Sequence, residues 1–265
     1  MVNFFTILVF CVLSVNLAYG QSVKLMTFNI YHGELPYEKG KPNMDAITEL
    51  IKNVQPTAVA LQEVDSMTNR SAALNDGQPQ NWVQDLGERV NMQGYFARAI
   101  NYSNGGYGEG LVVKKSSKPT QYTLPIPRGG EGRALITVEI ESGSEKSLIF
   151  GGTHLCHQYA ENRIAQVKEL IDLFRDEQKP VILAGDFNMT PDSEEYKILT
   201  EFFYDAAVLK GNPAMTFPAH DPEIRIDYFF LSKKYKWTVE SLETPSTTVS
   251  DHLPLVLTVS WSPNH

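Results

Sequence analysis

Apolar residues recur along the chain in two patterns, which together predict a mixture of strands and helices. Alternating or continuous apolar stretches predict strands at 23–30, 58–61, 111–114, 134–141, 147–153, 180–184, 226–231 and 253–260. Apolar residues at helical spacing predict four helices. The first follows Asn43, its expected N-cap, and runs to Val54, and the others lie at 80–90, 160–174 and 194–203. Two stretches rich in Gly, Asn, Ser and Pro, 101–110 and 125–132, are predicted to be surface loops.

The order of these elements favours one layered α/β domain. Strands and helices alternate, and no linker long enough to separate domains interrupts residues 21–265. Hydrophobic residues make up 42% of the chain and charged residues 20%, which is ordinary for a soluble globular protein.

The charge of the chain bears on its partners. The formal net charge is −8, and an acidic protein gains little from counterion release on nucleic acid. A general polyanion binder is therefore disfavoured. Nucleic acid stays a possible substrate, because a bound metal ion can offset the charge locally.

Residues 1–20 are typical of a signal peptide. Residues 2–15 are almost wholly apolar, and Ala18-Tyr19-Gly20 fits a small-x-small cleavage site. The segment lacks Lys and Arg, so an uncleaved N-terminal anchor is the alternative. No second long apolar segment follows, so we expect an exported, periplasmic or extracellular protein whose mature chain has no transmembrane span.

The cysteines exclude a disulfide framework. The chain has two, Cys11 and Cys156, and cleavage of the signal peptide would remove the first. We expect Cys156 to be a buried small residue rather than a nucleophile, because burial is the common fate of a free cysteine.

Lone polar residues interrupt or end the predicted strands. They are Asn29, Glu63, His154, Asp186, Asn188, Asp227, Asp251 and His252. Taken singly, each has an ordinary alternative role as a turn former or helix cap. Taken together, they form a set of oxygen donors and proton carriers that suits Mg²⁺ or Mn²⁺. Burying so many charges is costly unless a cation neutralises them.

The residues around these positions form short motifs in a recognisable order. They are Thr27-Phe28-Asn29-Ile30, Gln62-Glu63-Val64, Thr153-His154-Leu155, Gly185-Asp186-Phe187-Asn188, Ile226-Asp227-Tyr228-Phe229-Phe230 and Ser250-Asp251-His252-Leu253-Pro254. In order and spacing they resemble the motifs of the endonuclease/exonuclease/phosphatase superfamily, which has the deoxyribonuclease-I-like fold. The resemblance implies a four-layer α/β sandwich, in which two packed mixed β-sheets are flanked by helices. It also implies a pocket at one end of the sheets and a divalent cation, Mg²⁺ or Mn²⁺.

The resemblance further implies a role for each residue of the metal side. Glu63 resembles the principal metal ligand of the family, with Asn29 beside it. Asp251 resembles a carboxylate on the same side of the site.

The remaining motif residues resemble the groups that handle water and phosphate. Asp186 matches the residue that orients or deprotonates the attacking water, and Asn188 would hold phosphate or metal. His252 would contact the phosphate or assist proton transfer, with Asp227 orienting its ring. His154 would bind a phosphate oxygen.

Two further positions stay open between a role in the site and a bland alternative. Arg133 matches a substrate-side arginine of many family members, and its alternative is a surface ion pair. His157 either lines the pocket or is a surface histidine. Cys156 stands where secreted relatives often carry Asp, which puts a minor supporting contact in doubt.

The favoured hypothesis is a monomeric, exported, bacterial-type phosphoesterase that acts on a small organic phosphate or a lipid head group. Thr190 stands where inositol polyphosphate 5-phosphatases typically have Arg, which disfavours that subfamily. Val64-Asp65 follows Gln62-Glu63 where apurinic-site endonucleases typically carry Lys, which disfavours that one. The second hypothesis is a secreted Mg²⁺-dependent nuclease. The third is a non-catalytic binding module on the same fold, which the intact set of acid, base and metal residues disfavours.

Overall fold

Strands and helices alternate along the whole of the computed structural model, which describes residues 22–116, 118–142, 146–213 and 215–264. The predicted signal peptide, 1–20, lies outside the described residues. The strands are β1 Val23–Asn29, β2 Ala58–Ser66, β3 Gln93–Tyr102, β4 Gly105–Val113, β5 Thr120–Leu124, β6 Arg133–Ser142, β7 Lys146–His154, β8 Val181–Asp186, β9 Phe203–Asp205, β10 Asp227–Ser232, β11 Tyr235–Glu243 and β12 Leu255–Pro263. The α-helices are α1 Met44–Val54, α2 Asn69–Ala73, α3 Trp82–Arg89, α4 Ala160–Phe174, α5 Glu194–Thr200 and α6 Ala206–Lys210.

The strands form two six-stranded mixed sheets. The order of the first sheet is β11-β12-β1-β2-β4-β3, and that of the second is β5-β6-β7-β8-β10-β9. The pairs β1–β2 and β7–β8 are parallel, and the other pairs are antiparallel.

Three apolar clusters fill the spaces between four layers. The cluster between the sheets contains Leu25, Ala60, Leu111, Leu257, Ile136, Phe150, Ile182 and Phe229. Helices α1 and α3 cover the first sheet through a cluster that contains Ile47, Ile51, Val83, Leu86, Met26, Phe28 and Leu61. Helices α4 and α5 cover the second sheet through a cluster that contains Val167, Leu170, Ile171, Leu199, Leu135, Leu183 and Phe230. Each fully buried Val, Leu, Ile, Phe or Met side chain in these clusters contributes about 1.5–3 kcal/mol to folding. The predicted four-layer α/β sandwich is thereby confirmed.

Two local predictions are wrong, and the first concerns the loop predicted at 101–110. That stretch forms the β3–β4 hairpin, with Ser103 and Asn104 in its turn at φ 46° and 63°. Its glycines permit close strand approach. A Cβ on Gly108 would lie 2.1 Å from the carbonyl oxygen of Ala97. The predicted loop at 125–132 does connect two strands, β5 and β6.

The second correction concerns the end of a helix. The helix predicted at 194–203 ends at Thr200, and Phe203–Asp205 pairs antiparallel with β10 instead. Asn43 is the N-cap residue of α1, as predicted, although its side chain makes no capping bond to the helix. Its amide nitrogen contacts three backbone carbonyls instead. No helix within the described ranges is long and apolar enough to cross a membrane.

Strand register brings the polar motif residues to one end of the sandwich. His154, Asp186 and Asp227 are aligned across the neighbouring strands β7, β8 and β10. In the first sheet, β1 ends at Asn29, and Glu63 lies in an irregular, bulged part of β2 with φ 58°. The sequence predicted that Glu63 ends its strand. In the structure it projects from a bulge within the strand instead.

One buried charge belongs to the sandwich itself. Glu109 lies on the same face of β4 as Leu111 and Val113, and its side chain is 1% exposed. Within the described residues, neither of its carboxylate oxygens has a hydrogen-bond partner. Burial raises the pKa of Glu109 to about 8, although the charge of Arg133 acts in the opposite direction.

We expect Glu109→Gln to stabilise the fold increasingly as pH rises. The folded-state pKa of about 8 exceeds the ordinary value of 4.5, so between these values only the unfolded chain has released the proton. Wild-type stability therefore falls through this window, by up to about 1.4 kcal/mol per pH unit. Urea unfolding between about pH 5 and pH 8 should show a growing difference in unfolding free energy between the two proteins. A difference that stays constant with pH would contradict this account.

Candidate active site

A cleft opens where the polar ends of the two sheets meet. Its volume is about 530 Å³. The predicted site residues that line it are Glu63, Arg133, His154, Asp186, Asn188, Asp251 and His252. Asn29 and Asp227 are buried beneath them and contact lining residues through hydrogen bonds. The structure therefore brings together all of the residues that the sequence singled out, while their chemical roles stay predictions.

The metal-side residues present oxygen atoms from three separate segments. Nδ2 of Asn29 donates to Oε1 of Glu63 at 3.1 Å, and Asp251 lines the same cleft, close enough for the charge of Glu63 to act on it. Burial raises the pKa of Asp251, and the charge of Glu63 raises it further. Burial also acts to raise the pKa of Glu63, but the nearby rings of His32, His154 and His252 and the hydrogen bond from Asn29 outweigh it and lower the value to about 2.

These donors fit a hard divalent cation. Among the described residues, no Lys or Arg forms an ion pair with Glu63 or Asp251. The two carboxylates nevertheless repel each other, since the charge of Glu63 raises the pKa of Asp251, and a bound cation would relieve that repulsion. Carboxylate and amide oxygens are the ligands that Mg²⁺ prefers.

A second group of charges forms a chain of carboxylate, imidazole and carboxylate. Nδ1 of His252 lies 2.9 Å from Oδ2 of Asp227, and its Nε2 lies 3.7 Å from Oδ2 of Asp186. The three side chains offer ligand atoms within 4.8 Å of one another, so they too could hold a metal ion. The hydrogen bond between His252 and Asp227 already explains why two of these three ligand atoms lie close together.

The pKa values of this chain follow from its geometry. Burial acts to lower the pKa of His252, but the charges of Asp227 and Asp186 outweigh it and raise the value to about 10. Burial raises the pKa of Asp186 to about 7. The imidazolium of His252 opposes that rise, and the charge of Asp227 adds to it. The close pairing with Asp227 thus favours the charged form of His252, while burial favours the neutral form of Asp186.

His154 and Asn188 form a hydrogen-bonded pair beside Asp186. Nδ2 of Asn188 lies 3.0 Å from Nε2 of His154 and also donates to the carbonyl of Leu155 at 3.2 Å. Because Asn188 donates, Nε2 of His154 accepts in this arrangement. Burial and the charge of Arg133 hold the pKa of His154 well below its usual range, so the ring is neutral.

Arg133 is part of the cleft wall. Its side chain is 2% exposed, which excludes the alternative of a surface ion pair. Nε donates to the carbonyl of Leu155 at 3.1 Å, Nη1 pairs with Glu131, and Nη2 lies 3.1 Å from Nδ1 of His157. His157 also lines the cleft. Cys156 is buried, as predicted.

Several lining residues were not among the predicted site residues. They are Tyr107, Glu131, Thr190, Phe217, Ile224 and Ile226. Tyr107 fell within the stretch predicted to be a loop. Phe217 packs against His252 with ring centroids 4.9 Å apart, and with Ile224 and Ile226 it makes one wall of the cleft apolar. The only clue to this wall in the sequence was Phe217, an aromatic residue in a segment without a periodic apolar pattern.

Comparison with known families identifies the sequence pattern. Residues 26–252 match the profile described as "Endonuclease/Exonuclease/phosphatase family". No curated protein sequence matches the chain.

Solved structures share the fold. A functionally unknown conserved protein from Enterococcus faecalis V583 superimposes with a TM-score of 0.74 at 20% identity, over 91% of this chain and 100% of that chain. The human Nocturnin catalytic domain with bound sulfate has a TM-score of 0.68 at 24% identity, over 91% and 95%. The mannosyl-6-phosphatase of Bacteroides thetaiotaomicron VPI-5482 has a TM-score of 0.66 at 15% identity, over 89% and 99%. At these identities the likeness establishes the fold alone.

We expect Asp227→Asn to lower the pKa of His252 by more than about one unit, because an opposite charge within hydrogen-bond reach shifts a pKa by about 1–3 units. NMR titration of the His252 ring in EDTA-treated protein measures this directly. Asp172→Asn, which removes an exposed carboxylate on α4, is the matched control and should leave the titration unchanged. An unaltered His252 titration in Asp227→Asn would show that Asp227 does not hold the proton.

Proposed function

This chain belongs to the endonuclease/exonuclease/phosphatase family, and from that membership we propose that it is a divalent-metal-dependent phosphoesterase. It would hydrolyse a phosphomonoester or phosphodiester by attack of an activated water. One observation carries the proposal. The carboxylates of Glu63 and Asp251, neither of which forms an ion pair with a described Lys or Arg, share a cleft with the Asp186–His252–Asp227 chain.

The metal side of the proposal rests on the oxygen donors. Glu63, Asn29 and Asp251 would hold Mg²⁺ or Mn²⁺. When bound, the ion would neutralise charge on the non-bridging phosphate oxygens and polarise the phosphorus centre. Asn29 also donates to Oδ2 of Asp186 at 3.2 Å, so it links the metal side to the water-activating side.

Asp186 is the proposed acceptor of the water proton. Its raised pKa of about 7 places it near the pH at which a general base is most effective. Asn29 and the backbone N–H of Asn188 donate to its two oxygens, which fixes the direction of its free lone pairs. A water held against Asp186 and in line with the leaving group would lose its proton to this carboxylate.

His252 is the proposed proton donor to the phosphate. Asp227 orients its ring and keeps it charged, so Nε2–H can point into the cleft toward a phosphate oxygen. Arg133 would add positive charge on the opposite wall. Asn188 and His154 would contact a phosphate oxygen, as their family counterparts imply.

The shape of the cleft supports a compact substrate. A volume of about 530 Å³ falls within the range typical of small-molecule sites. The apolar wall of Phe217, Ile224 and Ile226 could cover the nonpolar part of a leaving group, while Glu131 and His157 face its polar part. We therefore propose a small organic phosphate or lipid head group as substrate, and an exported monomer as the form that meets it.

A substrate panel distinguishes this proposal from the alternatives. Purified protein with Mg²⁺ is assayed on sugar phosphates, nucleotides, phospholipid head-group esters and plasmid DNA, with Asp186→Ala as the negative control. We expect turnover of a small phosphoester. Preferred cleavage of DNA would make the protein a nuclease instead. Absence of turnover on every class would favour the non-catalytic binding module.

Variants test the assigned roles. Loss of a general base lowers kcat by about 10²–10⁴-fold, so we expect that loss for Asp186→Ala, with normal folding by circular dichroism. EDTA should abolish activity, and excess Mg²⁺ should restore it. Asp172→Asn, on the outer face of α4, should retain wild-type kcat and KM. Activity that survives EDTA would refute the metal requirement.

A further inference from the structure

The turn that follows β1 places a histidine next to the principal candidate metal ligand. Residues Tyr31–Gly33 form a short 3₁₀ turn in which Tyr31 and His32 both have φ 48°. Such left-handed values are uncommon for residues other than glycine, although His and Asn tolerate them better than most. The turn drives the His32 side chain inward, where it is 11% exposed.

The His32 ring lies between two carboxylates. Its Nε2 is 3.1 Å from Oε2 of Glu34, and its Nδ1 is 3.9 Å from Oε2 of Glu63. The other oxygen of Glu63, Oε1, accepts from Asn29 at 3.1 Å. The two oxygens of Glu63 therefore face different side chains, Asn29 at the end of β1 and His32 in the turn that follows it.

The turn is itself held firmly. Nδ2 of Asn43 donates to the carbonyls of Ile30, Glu34 and Val249, at 3.1, 2.9 and 2.6 Å. The Asn43 side chain is buried. Glu34 also accepts a hydrogen bond from the backbone of Gly40, so the carboxylate that contacts His32 has a fixed position of its own.

We propose that His32, anchored by Glu34, is the positioning residue that orients Glu63 for metal binding. The inference rests on the proposed function, because it assumes that Glu63 ligates a divalent cation. Glu63 needs such support because its side chain is 23% exposed and projects from a strand bulge. Outer groups that orient a ligand typically change metal affinity by about 10–100-fold when removed.

Direct metal binding tests the proposal without relying on turnover. The dissociation constant for Mn²⁺ is measured by electron paramagnetic resonance on substrate-free wild-type, His32→Asn, Glu34→Gln and Glu63→Gln proteins. Asn accepts the left-handed backbone but is too short to span Glu34 and Glu63. We expect His32→Asn to weaken Mn²⁺ binding by about 10–100-fold. Glu34→Gln should weaken it by a smaller factor, and it serves as the decisive variant if His32→Asn fails to fold.

A kinetic readout separates positioning from general damage. His32→Asn should raise the Mg²⁺ concentration for half-maximal activity, while kcat at saturating Mg²⁺ stays within about twofold of the wild-type value, because excess metal offsets a misplaced ligand. His220→Asn is the control. It removes an exposed histidine that bonds Tyr37, and it should change neither quantity.

The outcomes distinguish the inference from the function beneath it. If wild type binds Mn²⁺ through Glu63, and His32→Asn and Glu34→Gln bind it equally well, the role of His32 is overturned while the metal site stands. If Glu63→Gln binds Mn²⁺ as tightly as wild type, the proposed metal site fails, and the role of His32 fails with it.

Discussion

The electrostatic cost of gathering carboxylates at one end of the sandwich constrains the rest of the site. Asp186 and Asp227 meet the imidazole of His252, whose charge compensates them within the protein. Glu63 and Asp251 have no Lys or Arg partner among the described residues. The same cleft thus holds two carboxylates that flank a buried imidazole and two that pair with no described Lys or Arg, and this asymmetry distinguishes the Asp186–His252–Asp227 chain from the proposed metal side.

The fold can hold these charges close together because several strand ends converge on one edge. The register of β7, β8 and β10 aligns His154, Asp186 and Asp227, while the first sheet contributes Asn29 and the bulged Glu63. Hydrogen bonds then tie the two sheets together at the site. Asn29 of the first sheet donates to Asp186 of the second.

Support for the site comes from residues that never enter the cleft. Asn43 ties the turn after β1 to Val249, two residues before Asp251, and Ser250 donates to the carbonyl of Asn29 at 2.7 Å. Asn29 in turn donates to Glu63, so hydrogen bonds connect the segments that carry Asn29, Glu63 and Asp251 before any ligand binds. Such pre-organisation costs stability locally, through left-handed backbone at His32 and Glu63, and the close packing of the three apolar clusters offsets it.

Local patterns in the sequence determined the strongly periodic elements, such as α4, and the polar residues that converge on the cleft. Both follow from properties of neighbouring residues, and residue type limits what chemistry a cluster can perform. Only the tertiary structure decided that the glycine-rich stretch before Leu111 is a hairpin, that the Asn43 side chain bridges carbonyls rather than making a capping bond, and that His32 approaches Glu63. The hairpin depends on strand pairing, and the approach of His32 to Glu63 depends on a left-handed turn. Both involve contacts between residues that are separated in the chain, and such contacts leave no periodic pattern in the sequence.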